Sequence, residues 1–160
     1  METSPTNNLV VLLLKSEFSS LIQRLCSLTR VTPSGLLYKN VGSLTVGAGI
    51  LKTAGVMEQA FGGITSNLWD DPFEWTLPEA LSTPELILEY LADVDLARER
   101  AFSSITVDSA LYKLIALPSG ESCRLLQLLM MTLQRSSENY GQAAATLKFL
   151  SDVSASGFII

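Results

Sequence analysis

Histidine is absent from this 160-residue chain, and that removes most of the chemistry a small domain could carry. Neutral imidazole is the commonest transition-metal ligand and the side chain that titrates near neutrality, so neither a histidine-held metal nor a histidine acid or base is available. Serine is abundant, but a Ser-His-Asp arrangement is impossible, and a Ser-Lys pair would rest on Lys52 or Lys113 with no supporting signature. Cys26 and Cys123 are too few for a disulfide framework; both fall in helical patterns and read as reduced, buried thiols. Asp70 and Asp71 sit side by side in a turn-rich stretch, where carboxylates cap loops far more often than they form an acid/base pair. There is no phosphate-cradling glycine loop with its lysine and no nucleophile elbow. No metal and no cofactor is expected.

Charge narrows the partners. Sixteen acidic against eleven basic side chains give a net charge of −5, and the basic residues are scattered instead of forming a stripe, so nucleic acid is not expected as a partner. The same scatter argues against a helix lying on a membrane surface. The longest strongly apolar run, Leu9 to Leu14, is far shorter than the roughly 20 residues that cross a bilayer. Glu2 precedes that run and Lys15 and Glu17 follow it, which is not the pattern of a secretory leader, so a cytoplasmic protein is expected.

Any site must be carried by helices. Val10, Leu13, Leu14, Phe18, Leu21, Leu25 and Leu28 recur at helical spacing and predict a first helix from about Asn8 to Thr29. Pro33, Gly35 and Gly42 mark a loop over Val31 to Ser43, and a glycine-containing helix follows from Leu44 to Phe61. Gly62 to Ser82 reads as a long connection holding Trp69, Phe73 and Trp75; these aromatics either cap the end of the core or wall a pocket. Thr83-Pro84-Glu85 is a strong helix start, and the third helix runs to about Ser103, with Arg98 among the residues facing water and offsetting Asp95 and Glu99. Ile105 to Pro118 is either a short helix or an extended segment. The longest helix then runs from Glu121 to about Leu150. The expected fold is all-α: an up-down four-helix bundle in one domain over residues 1–150, with residues 151–160 a flexible or partner-docking tail ending in Phe158-Ile159-Ile160.

Two segments resemble a known family. Arg135-Ser136-Ser137-Glu138-Asn139-Tyr140-Gly141-Gln142, ahead of an apolar helix, is similar to the signature of the DinB-like/YfiT-like superfamily of four-helix bundles, which reads roughly His-x-x-x-His-Arg-Gly-Gln. Arg135 and Asn139 then stand at the two histidine positions. Thr45 to Leu51 resembles the family's small-residue helix start, and Lys52 stands where a third histidine would follow. Metal-bearing members look like thiol-dependent transferases, isomerases or hydrolases, and all three of their ligands are replaced here. An ammonium and a guanidinium offer no lone pair and repel a metal ion. The resemblance therefore implies a non-catalytic, metal-free module, homodimeric like its relatives, with a former metal pocket formed by Lys52, Arg135 and Asn139. In one reading Glu58 or Glu138 pairs with the two cations and fills that pocket; in another the cations bind a small anionic ligand. The alternative function is a metal-independent thiol-dependent transferase in which Lys52 and Arg135 hold an anionic cosubstrate.

Overall fold

The computed structural model describes residues 7–72 and 76–155. The first helix, α1, spans Leu9–Val31 and buries Leu14, Phe18, Leu21, Leu25 and Leu28 of the stripe its spacing predicts, but Val11 and Ile22 are buried as well, whereas Val10 and Leu13 face outward. Asn8 makes no side-chain cap. Instead the Asp108 carboxylate, distant in sequence, accepts the Val10 and Val11 amides at 3.2 and 2.9 Å and satisfies the orphan donors of the first turn. Helix α2 spans Val46–Ser66 and is capped by Thr45, whose hydroxyl accepts the Ala48 amide. It runs past its predicted end through Gly62 and Gly63 because the chain that follows folds back on those residues: a Cβ at Gly63 would lie 2.5 Å from the Trp69 ring. Helix α3 spans Pro84–Ser103 with the predicted Thr83 cap and Pro84 in its first turn.

The plain up-down order is not what forms. Tyr38, just before α2, donates its hydroxyl to the carbonyl of Leu81, just before α3, at 2.5 Å, so the two helices start at the same end of the bundle. At the other end the Phe61 and Phe102 rings, near the C-termini of α2 and α3, lie 6.4 Å apart. Thus α2 and α3 run in one direction, and α1 and α4 (Leu125–Ala155) in the other. Asp108, between α3 and α4, reaches the first turn of α1, and Gly49 early in α2 meets Ala143 late in α4. Helices α1 and α2 each pack on both α3 and α4 and touch one another little. The end of α2 and the start of α3 therefore lie about 30 Å apart along the bundle, a distance that the connection between Ser66 and Pro84 is long enough to span.

The ambiguous stretch resolves into a 3₁₀ turn over Asp108–Tyr112 and a hairpin, β1 (Leu114–Ala116) with β2 (Ser122–Arg124), antiparallel with Ile115 opposite Cys123. Glu121 to Arg124 thus belong to the hairpin, not to the last helix, and Cys123 is a half-buried strand residue. Helix α4 also continues through Ser151 to Ala155, where a tail was expected, because nothing before Gly157 breaks it. Phe158, Ile159 and Ile160 lie outside the described residues. Phe18, Phe61 and Phe102 form the aromatic centre of the core, with Phe18 to Phe61 edge-on at 5.3 Å. Among the described residues no helix is long and apolar enough to cross a membrane.

Candidate functional site

The return segment makes the site. It leaves α2 at Asn67, a left-handed residue (φ 54°), lays Trp69 over Gly63, and receives at the Trp69 carbonyl a 3.0 Å hydrogen bond from Gln59 Nε2. It then climbs past Gly55 at Pro72 and turns at Thr76, whose hydroxyl donates to the Pro72 carbonyl at 2.8 Å. Between this segment, α2 and α4 it leaves a cleft of about 500 Å³, lined by Leu51, Lys52 and Val56 of α2, Asp71 and Thr76 of the segment, and Arg135 of α4. Ala48, Gly55, Gln59 and Pro78 complete the wall.

Lys52 and Arg135, far apart in sequence, therefore line one cleft. Both are exposed at its rim, whereas Leu51 and Thr76 are buried beneath them. Neither cation forms a salt bridge with a described carboxylate. Asn139, one turn beyond Arg135, does not line the cleft. Helices α2 and α4 converge just past it, where a Cβ at Gly49 would come 2.7 Å from the Ala143 methyl, and this closes the cleft on that side.

The two carboxylates expected to neutralise the cations are elsewhere. Glu58 lies six residues from Lys52, which puts it about 120° round the helix, and faces α3, where it accepts the Tyr90 hydroxyl at 2.6 Å. Burial pushes its carboxyl above the ordinary range; the Tyr90 hydrogen bond opposes that and the charge of Asp93 adds to it. The same burial, with Glu58 beside it, pushes the Tyr90 phenol up far enough to keep its proton. Glu138 is exposed and accepts Gln134 Nε2 at 3.3 Å. The carboxylate that does share the rim is Asp71, read from sequence as a loop cap.

Sequence reasoning thus brought Lys52 and Arg135 together and missed the residues facing them. The signal for Asp71, Thr76 and Pro78 was the length of the connection, which does cover something, though Trp69 caps the end of α2 and does not line the cleft. Phe73 and Trp75 lie outside the described residues. Arg98, expected in water, is buried at 6% exposure and pairs through Nε with Asp95 at 2.7 Å and more loosely with Glu99 at 3.7 Å.

Chemically, a rim with two cations above an apolar floor suits recognition of an anion. The cleft lining contains no cysteine, and among the described residues no group of three His, Cys, Asp or Glu could hold a metal ion. Compared with known proteins, the chain matches no family model, no curated protein and no solved structure.

Proposed function

We propose that this chain is a non-catalytic, metal-free bundle of the DinB-like/YfiT-like kind that binds a small anion between α2, the return segment and α4. One observation carries the reading: Lys52 and Arg135 line the same cleft, and neither forms a salt bridge with a carboxylate among the described residues. Like charges that share one cleft repel, weakly where water screens them, and an anion between them reverses the sign of that term. Their meeting also supports the alignment that put them at equivalent positions. The rival, a metal-independent transferase, would need an acid, base or nucleophile at the cleft, and the lining offers only the Asp71 carboxylate, the Lys52 amine and the Thr76 hydroxyl, the last already donating to the Pro72 carbonyl.

Titration calorimetry with butyrate and inorganic phosphate at low ionic strength tests the proposal. Saturable binding is expected, weakened tenfold or more in the Lys52→Gln/Arg135→Gln double variant. Equal heats from both proteins would refute it. On the same reading the protein is a cytoplasmic homodimer; an open apolar groove on α4 with Met130 and Met131 exposed at 58% and 47% supports the association. Light scattering at tens of micromolar distinguishes a dimer from a monomer.

A further inference from the structure

The cleft is built for more than a bare inorganic ion. A phosphate displaces only a few waters of roughly 30 Å³ each, whereas this cleft holds about 500 Å³, within the range of sites for whole organic molecules. Its parts are also sorted by polarity. Lys52 and Arg135 stand exposed at the rim, and beneath them are the buried side chain of Leu51, the half-buried Val56 and the backbone of Gly55. Two polar side chains of the wall already have partners in the protein: Gln59 donates one N–H to the Trp69 carbonyl and Thr76 its hydroxyl to the Pro72 carbonyl. Along Leu51, Gly55 and Val56 the cleft presents hydrocarbon to a ligand, and an ion seated at the rim alone would leave that hydrocarbon wet.

From this sorting we infer that the natural ligand is an amphipathic anion, a carboxylate or phosphate monoester head joined to an apolar chain, with the head between Lys52 and Arg135 and the chain along Leu51, Gly55 and Val56. The inference rests on the anion-binding reading and adds the chemical class to it. Arg135 can grip either head through two parallel N–H···O bonds, and Lys52 adds a point charge. The chain supplies affinity by leaving water.

The experiment is a calorimetric titration of the full-length protein with acetate, butyrate, hexanoate, octanoate and octyl phosphate, each below its aggregation concentration, and with octanol as the uncharged control. Affinity should rise about three- to fourfold per methylene while the chain still gains floor. The Lys52→Gln/Arg135→Gln variant should lose tenfold or more for octanoate and octyl phosphate. Val56→Gln, which puts an amide on the proposed path of the chain, should flatten the dependence on chain length. Unfolding midpoints near the parent's establish that both variants fold. Equal affinity from acetate to octanoate overturns the amphipathic class while leaving anion binding intact. Octanol binding as tightly as octanoate, or no binding by any member, overturns the anion reading as well.

Discussion

Two sets of cations in this bundle are treated in opposite ways. Arg98 on α3 is buried, and two carboxylates of its own helix, Asp95 and Glu99, hold it. Lys52 and Arg135 stand exposed on different helices above an apolar cleft, with no salt bridge to a described carboxylate. A guanidinium leaves water only where partners replace the solvent, so the Arg98 cluster belongs to stability. The rim cations keep their water, contribute little to folding, and stay available to something from outside. The difference predicts which substitutions unfold the protein and which abolish binding.

Removing the carboxylate that holds Arg98 tests the stability side. Asp95→Ala leaves a buried guanidinium with one distant partner and should cost about 2–3 kcal/mol in urea unfolding. A cost below 0.5 kcal/mol would mean that Arg98 finds water or another acceptor. Gly49→Ala tests the frame of the cleft. Its new methyl would lie 2.7 Å from the Ala143 Cβ and 3.2 Å from its Cα, so α2 and α4 must separate at a cost of about 1–3 kcal/mol. Anion affinity should change with it, because the closed side of the cleft opens.

Asp108→Ala removes the carboxylate that caps α1 and should cost about 1–2 kcal/mol, while Asn8→Ala, whose side chain makes no cap bond, should cost less. The Glu58 carboxyl carries the pH dependence. Its folded value is raised, so the native state holds this proton to higher pH than the unfolded chain does. The stabilisation is fully present below the ordinary value of 4.5 and is lost as pH rises through the raised one. Stability of the parent relative to Glu58→Gln should therefore grow on acidification through that window; an unchanged difference between neutral pH and pH 4 would contradict the burial argument. At the small end, Lys52→Gln and Arg135→Gln should each move stability by no more than about 0.5 kcal/mol.

What the sequence revealed and what it hid separate along a physical line. Local signals were readable: most of the α1 stripe and the Thr83-Pro84 start each act within one or two turns, although Val10 and Leu13, read as part of that stripe, face outward. The relative direction of α2 and α3 was not, because it depends on where residues 67–83 lie, and loop composition does not encode a path. Likewise Lys52 and Arg135 could be paired by resemblance, whereas Asp71 reaches them only through the return of that segment along α2. Glu58 was assigned to Lys52 by proximity in sequence, although helical geometry turns it toward Tyr90. The hairpin was masked because its three-residue strands are too short to display a period of two.

A ¹⁵N-resolved NMR titration with octyl phosphate tests the central claim most directly, since it reports where the anion sits. The amides and side-chain N–H groups of Ala48 to Gln59, Asp71, Thr76 and Arg135 should shift together and saturably in the parent, and those shifts should vanish in the Lys52→Gln/Arg135→Gln variant. Shifts concentrated instead around Met130 and Met131, or identical in the variant, would contradict the assignment of the α2–α4 cleft as the anion site.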